Sequence, residues 1–216
     1  MTNTEIYIVV HSQAAFDFFK GKNKSKNYKF ILVGNEPMKL INSEDRHILQ
    51  PCMYPFNIEH LKSLLTFTAW YALVKNEITD AKFIGIFEYD TIIKEDLLNY
   101  DYKEDTVYGF FRRPLSDHLF LASTPFFRSM LTPFNLETAN MQKFWLTTTN
   151  LVMPRQFLKE FVDWYLEFVP KIIKFRDHPH YHERAVNVYA PNYGFKREII
   201  ENGMDHLQMN SHEYNL

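Results

Sequence analysis

Apolar positions along the chain fall into two patterns that alternate from the N-terminus onward. Short runs rich in β-branched and aromatic residues predict strands, and longer segments with apolar residues every three or four positions predict helices. The predicted strands cover residues 5–10, 28–37, 81–93, 106–114 and 144–154. The predicted helices cover residues 13–22, residues 57–76 with Asn57 as the N-cap, a long segment with Pro154 at its first helical position (N1), and residues 182–190.

These strands and helices alternate without an internal repeat, a low-complexity tract or a Ser/Gly linker. The arrangement is typical of an α/β domain, in which each crossover helix packs back onto a parallel sheet. We therefore expect residues 1–216 to form a single α/β domain with a mostly parallel central sheet flanked by helices on both faces.

Composition narrows the classes of function. The 216 residues carry 24 Lys and Arg against 26 Asp and Glu, so the net charge of −2 gives no general attraction to nucleic acid. The one cysteine, Cys52, excludes an internal disulfide and suits a reducing compartment. No apolar stretch approaches the roughly 20 residues that span a bilayer. We expect a cytoplasmic protein with no nucleic-acid partner and no membrane span.

The six glycines are scattered, and no two lie within eight residues of each other. Walker A and G-x-G-x-x-G loops need clustered glycines whose backbone N–H groups wrap a phosphate, so neither loop is present. A phosphorylated ligand would therefore need a metal ion or charged side chains to neutralise it.

An acidic pair follows the most apolar predicted strand, in the stretch IGIFEYD. Side chains alternate along a strand, so Glu88 and Asp90 are predicted to share a face. Neighbouring carboxylates repel each other unless a cation neutralises them, and ligands of open α/β sheets bind at the carboxyl ends of strands. The pair predicts a site for a divalent cation, and a cation bound there can bridge the two phosphates of a diphosphate. The alternative is a surface turn with both acids in solvent.

The Glu-Tyr-Asp triplet after an apolar strand resembles the DxD motif of the GT-A nucleotide-sugar glycosyltransferases, with Glu in the first position. The stretch HERAVNVYAPNY (182–193) is similar to an E-R-x-x-N-x-Y segment of bacterial capsule and lipopolysaccharide sugar transferases. Nearly the full length also resembles the N-terminal glycosyltransferase domains of chlorovirus capsid-glycan proteins. The resemblance implies a GT-A-like fold and metal-dependent transfer of a hexose or deoxyhexose from a nucleotide diphosphate sugar, UDP being favoured, to a glycan hydroxyl.

The resemblance also implies roles for individual residues. Asp90 would bind Mn²⁺ or Mg²⁺ directly, and Glu88 would act through water or on the ribose. The third metal ligand would be His206 or His212, of which His212 is favoured, and an imidazole ligand favours Mn²⁺. Residues 1–100 would form the nucleotide-binding half and residues 101–216 the acceptor-binding half. The nucleoside would be lined by His11, Ser12, Gly34 and Asn35.

Glu183 is the candidate general base, since an inverting transferase needs a carboxylate that accepts the proton of the acceptor hydroxyl. The alternative is an ion pair between Glu183 and the adjacent Arg184. Stereochemistry stays open, although a helix-borne Glu183 favours inversion. Arg113 and Trp145 are candidate acceptor-binding residues, Arg113 by its charge and Trp145 by stacking on a sugar ring.

Two other functions compete with this interpretation. His178, His180 and His182 alternate along the chain and predict a zinc site of a hydrolase if the segment is extended. A non-catalytic sugar-binding module would use the abundant aromatic side chains and would need no nucleotide.

Overall fold

The computed structural model describes residues 3–23, 28–34, 48–61, 64, 66–94, 96–114, 144–173 and 181–207. The strands in chain order are β1 (Thr4–Val10), β2 (Lys29–Leu32), β3 (Ile48–Leu49), β4 (Phe83–Glu88), β5 (Thr91–Ile93), β6 (Thr106–Gly109), β7 (Phe111–Pro114), β8 (Phe144–Thr147), β9 (Leu151–Pro154), β10 (Lys196–Ile199) and β11 (Met204–His206). The helices are α1 (Gln13–Lys22), α2 (Phe67–Lys75), α3 (Arg155–Leu166), α4 (Val169–Ile172) and α5 (Tyr181–Asn192), with a 3₁₀ turn at Pro51–Met53.

Seven of these strands form a central sheet in the order β10-β6-β9-β4-β1-β2-β3. The pairs β1–β2, β1–β4, β2–β3 and β6–β10 are parallel, whereas β9 runs antiparallel to both of its neighbours. Two antiparallel pairs, β5–β11 and β7–β8, lie outside this sheet. The prediction of an α/β fold with a mostly parallel central sheet is confirmed.

Helices cover both faces of the sheet, because its central strands are apolar on both sides. In β1, Tyr7 and Val9 belong to one core together with side chains of α2, α3 and α5. Their neighbours Ile6, Ile8 and Val10 belong to a second core together with Phe16 and Phe19 of α1. This alternation is what a strand buried on both faces requires, and it confirms the predicted layers.

Helix α1 begins where the sequence pattern places it. The Ser12 hydroxyl accepts a hydrogen bond from the Ala15 N–H at 3.1 Å, which satisfies one of the free N–H groups of the first turn. The chain therefore turns sharply at His11 and Ser12, directly after β1.

Helix α2 is shorter than predicted, and Asn57 is not its N-cap. The helix starts at Phe67, and the Asn57 side chain instead donates to the Tyr54 carbonyl at 3.0 Å. The Glu59 carboxylate accepts the Gly34 N–H at 3.0 Å. Asn57 thus makes a local hydrogen bond and Glu59 a long-range one, and neither side chain caps α2.

Three predicted strands each form two shorter strands, and the two parts belong to different sheets. Residues 81–93 break at Tyr89–Asp90, residues 106–114 at Phe110, and residues 144–154 at 148–150. Thr148 has a φ of +72°, a backbone conformation that ends a strand. The Pro154 prediction was off by one position, since Pro154 precedes the first helical residue, Arg155. Within the described ranges, no helix has the length and apolar character needed to cross a membrane.

Candidate functional site

The acidic pair and a histidine from the far end of the chain meet beside the central sheet. Glu88 is the last residue of β4, and Asp90 lies in the turn that leads to β5. Strand β11 pairs antiparallel with β5, so that His206 stands opposite Thr91. The Leu207 N–H also donates to the Asp90 carbonyl at 3.1 Å. Two short strands thus carry His206 to the acidic turn.

The three side chains have the spacing of a metal site. His206 Nε2 lies 3.6 Å from Asp90 Oδ1 and 3.9 Å from Glu88 Oε2. One ligand atom from each residue lies within 4.8 Å of the others, and no other His, Cys, Asp or Glu group of three in the described part of the chain does so. Asp90 and His206 are buried and Glu88 is half-buried. Two carboxylates and one imidazole suit a divalent cation of the first transition series.

Burial and the charges within the site shift the pKa values of Asp90 and His206. Burial raises the pKa of Asp90, the charge of Glu88 adds to this effect, and His206 opposes it. Burial alone lowers the pKa of His206, but the attraction of Glu88 and Asp90 outweighs it and raises the value. Asp90 Oδ1 is buried and accepts no hydrogen bond from the described residues. A buried carboxylate oxygen without a donor is costly, so these residues fit a cation.

Glu88 is held from several sides. Its Oε1 accepts hydrogen bonds from the hydroxyls of Thr149 at 2.6 Å and Thr66 at 3.2 Å. Its backbone N–H donates to Asn150 Oδ1 at 2.7 Å, and its carbonyl accepts from the Thr91 hydroxyl at 2.8 Å. With Oε1 occupied, Oε2 is the oxygen that faces His206.

Glu183 lies in the first turn of α5, as predicted, and is half-buried. Its Oε1 accepts a hydrogen bond from the Thr148 N–H at 2.6 Å. Burial raises the pKa of Glu183 to about 7, and the charge of Glu88 adds to it, whereas the Thr148 N–H, Arg184 and His206 act in the opposite direction. A carboxyl group with a pKa near neutrality can accept a proton at physiological pH.

His11 and Ser12 lie next to the acidic turn. Together with Tyr89, Asp90 and α1 they line an open cavity of about 530 Å³. The His11 ring packs edge-on against the Tyr89 ring, with centroids 5.0 Å apart. The carboxyl end of β1 therefore meets the carboxyl end of β4 across this cavity, as parallel pairing requires.

The two predicted residues at the end of β2 are placed differently. The Gly34 N–H donates to the Glu59 carboxylate, and Gly34 adopts a φ of +113°. Gly34 is not among the residues that line the cavity beside Asp90. Asn35 lies outside the described residues.

The candidate acceptor residues lie opposite each other on the pair β7–β8. Arg113 is half-buried, and its register partner is Trp145. Trp145 is only 1% exposed, and this burial does not support a stacking role. Strand β8 packs against α5, where Asn187 binds the backbone of Leu146.

The histidine cluster gives the zinc alternative no support. His182 is 1% exposed, and its ring packs against those of Phe67, Trp70 and Tyr165 in the aromatic interior. His178 and His180 lie outside the described residues, as does His212. His206 is therefore the C-terminal histidine that the structure places beside the acidic pair.

The sequence alone did not identify the polar side chains that contact Glu88 or the one that joins α5 to β8. Thr66, Thr149 and Asn150 contact Glu88, and Asn187 connects α5 to β8. The signal for two of them was the polar run TTTN between two apolar strands. Asn187 lies within the E-R-x-x-N-x-Y stretch.

Comparisons with known proteins add evidence on the fold. No protein-family model matches the sequence, and no curated protein does. Among solved structures, WbbM, a bifunctional glycosyltransferase, superposes with a TM-score of 0.61 at 12% identity over 94% of this chain and 45% of that chain. The galactosyltransferase LgtC, solved with donor and acceptor sugar analogues, gives a TM-score of 0.47 at 12% identity over 89% of this chain and 72% of that chain.

This chain therefore spans less than half the length of WbbM. Identity this low shows similarity of fold alone. The chain has the mixed α/β, GT-A-like fold that it shares with a solved glycosyltransferase.

Proposed function

We propose that this protein is a metal-dependent glycosyltransferase. It transfers a hexose or deoxyhexose from a nucleotide diphosphate sugar, with UDP as the favoured carrier, to a hydroxyl of a glycan. The observation that carries the proposal is the cluster of Glu88, Asp90 and His206 at the carboxyl end of β4, with a buried Asp90 oxygen that lacks a donor among the described residues. The GT-A-like fold supports it.

Glu88, Asp90 and His206 would hold the cation. Mg²⁺ prefers oxygen ligands, so the imidazole of His206 favours Mn²⁺. A bound divalent cation neutralises the charge that develops on the diphosphate leaving group. The scattered glycines leave no phosphate-binding loop to share that task.

The cavity beside Asp90 would take the nucleoside of the donor. Its volume of about 530 Å³ lies within the range of small-molecule sites. His11, Ser12 and Tyr89 offer it polar and aromatic contacts next to the proposed cation. Gly34 and Asn35 remain candidates for the far edge of the nucleoside, and Arg113 for the acceptor.

Glu183 would act as the general base. Its carboxylate accepts the proton of the acceptor hydroxyl while that oxygen forms a bond to the anomeric carbon. The bond between the anomeric carbon and the diphosphate oxygen breaks, and its electron pair leaves with the nucleotide diphosphate. This displacement inverts the anomeric configuration. The pKa of about 7 supports the role, since a stronger acid would be a weaker base.

The proposed site would draw on both proposed halves of the chain. Residues 1–100 supply Glu88, Asp90 and the nucleoside cavity, and residues 101–216 supply His206 and Glu183. A cytoplasmic location is part of the proposal and agrees with Cys52, which is exposed and free. The likeness to chlorovirus capsid-glycan transferase domains stays a prediction.

Calorimetric titration with UDP, GDP and CMP, each with and without Mn²⁺, tests the proposal. We expect UDP to bind the wild-type protein only when Mn²⁺ is present. Asp90→Ala should fold normally and lose this Mn²⁺-dependent binding. Unchanged Mn²⁺-dependent UDP affinity in Asp90→Ala would overturn the assignment of the site.

A further inference from the structure

Three consecutive residues between β8 and β9 contact Glu88 and Glu183, two of the three acidic residues to which we give chemical roles. The Thr148 N–H donates to Glu183 Oε1 at 2.6 Å. The Thr149 hydroxyl donates to Glu88 Oε1 at 2.6 Å, and Asn150 Oδ1 accepts the Glu88 N–H at 2.7 Å. One turn, residues 148–150, therefore contacts Glu88 on β4 and Glu183 on α5.

This turn is held firmly in its conformation. Thr149 and Asn150 are at most 1% exposed. Thr148 adopts a φ of +72°, which is unfavourable for a β-branched residue and persists only where the surroundings impose it. The Thr148 hydroxyl accepts the Asn150 N–H at 3.3 Å, which closes the turn on itself.

The strand that leads into the turn is fixed by α5. Asn187 Oδ1 accepts the Leu146 N–H at 2.6 Å, and Asn187 Nδ2 donates to the Leu146 carbonyl at 2.9 Å. Asn187 lies one helical turn after Glu183, whose carbonyl also accepts from Asn187 Nδ2 at 3.1 Å. The helix that carries Glu183 is thus attached to β8 two residues before Thr148.

We infer that Thr149 and Asn150 are positioning residues of the metal centre, an inference that rests on the proposed function. The torsion of a terminal carboxylate is broad, so an unrestrained Glu88 would sample many orientations. The Thr149 hydroxyl, supported by that of Thr66, occupies Oε1 and directs Oε2 toward His206. Asn150 fixes the backbone of the same residue. The turn thereby places a metal ligand and, through Thr148, the base relative to each other.

Mn²⁺ affinity of Thr149 variants tests this inference. Thr149→Val keeps the shape of the side chain and removes the donor, whereas Thr149→Ser keeps the donor. Thr4→Val is the matched control, because Thr4 is 4% exposed and lies at the amino end of β1, opposite the site. Free Mn²⁺ is measured by electron paramagnetic resonance during titration of each variant in the presence of UDP.

We expect Thr149→Val to bind Mn²⁺ at least about tenfold more weakly than the wild type, the usual effect of losing an outer-shell partner of a metal ligand. Thr149→Ser should restore most of the affinity, and Thr4→Val should bind as the wild type does. If Thr149→Val does not fold, Thr66→Val removes the second donor to Oε1 and should also weaken Mn²⁺ binding.

The two proposals fail in different ways. Wild-type affinity in a folded Thr149→Val, or in Thr66→Val where that variant replaces it, overturns the positioning role alone. Equal losses in Thr149→Val and Thr149→Ser also overturn it, since the hydroxyl would then be irrelevant. A wild-type protein that does not bind Mn²⁺ with UDP overturns the proposed function and, with it, this inference.

Discussion

Asp90 Oδ1 lies 3.6 Å from His206 Nε2, and this buried oxygen accepts no hydrogen bond from the described residues. A structural ion pair would surround such a carboxylate with donors, because an unsatisfied buried acceptor costs roughly 1–3 kcal/mol or more when charged. A bound cation would satisfy this oxygen. Glu88 Oε2, 3.9 Å from the same nitrogen, completes a set of ligands that a divalent cation would satisfy.

Replacing the imidazole should change which cation the protein prefers. His206→Ala removes the nitrogen ligand, so Mn²⁺ affinity in the presence of UDP should fall by at least about tenfold, and Mg²⁺ affinity should fall less because Mg²⁺ prefers oxygen. Titrations of the wild type and the variant with each ion measure the ratio of Mn²⁺ to Mg²⁺ affinity. His60→Ala, at an exposed position outside the cluster, is the control. Equal losses for the two ions would argue against ligation through His206.

Glu183→Gln should separate binding from chemistry. The amide still accepts the Thr148 N–H but cannot take a proton, so the turnover rate should fall by about 10²–10⁴-fold. UDP and Mn²⁺ affinities should stay near those of the wild type. Steady-state kinetics with a UDP-sugar and a glycan acceptor measure the turnover rate. Calorimetry measures the UDP and Mn²⁺ affinities. Glu167→Gln, at an exposed position, is the control. Retained turnover in Glu183→Gln would leave Glu183 with a structural role only.

The raised pKa of Glu183 predicts how its replacement changes stability with pH. The pKa is about 7 in the folded protein against 4.5 for an ordinary Glu, so between these values the folded state binds more protons than the unfolded chain. The contribution of Glu183 to stability is therefore fully present below about pH 4.5 and is lost as pH rises to about 7.

Denaturant unfolding of the wild type and Glu183→Gln at pH 4.5 and pH 8 tests this. The variant should gain stability relative to the wild type at the higher pH. Arg184, Glu88 and His206 are the other charged groups that act on Glu183, and all three are unchanged in the variant. A stability difference that is the same at both pH values would contradict the raised pKa.

Asn187 should prove important for stability. It is fully buried, and its side chain satisfies both the N–H and the carbonyl of Leu146. Asn187→Ala leaves these groups unpaired and should lower the free energy of unfolding by about 1–3 kcal/mol. Asn192→Ala, on the same helix but half-buried at its end, should cost less. Urea unfolding measures both variants, and similar losses would refute the special role of Asn187.

Much of the fold was predictable because it rests on local patterns. The apolar run in β1 and the cap at Ser12 placed the first strand and helix closely. The acidic triplet was visible for the same reason, since it interrupts a long apolar run. Helix α2 was overestimated because Asn57 donates to the nearby Tyr54 carbonyl and Glu59 accepts the N–H of the distant Gly34, contacts that the apolar periodicity does not reveal.

The rest of the site depends on pairing between distant segments. Strands β5 and β11 have three residues each, too few for a periodic signal, yet their pairing delivers His206 to Asp90. The burial of Trp145 and the contact of Thr149 with Glu88 are equally non-local. A sequence shows that such residues are polar or aromatic but does not show which partner they meet.

Anomalous diffraction from a crystal soaked with Mn²⁺ and UDP would locate the bound cation. We predict one manganese peak within ligand distance of Glu88, Asp90 and His206, adjacent to the diphosphate of UDP. A manganese peak elsewhere, with the acidic turn in contact only with solvent, would show that Glu88, Asp90 and His206 do not form the metal site.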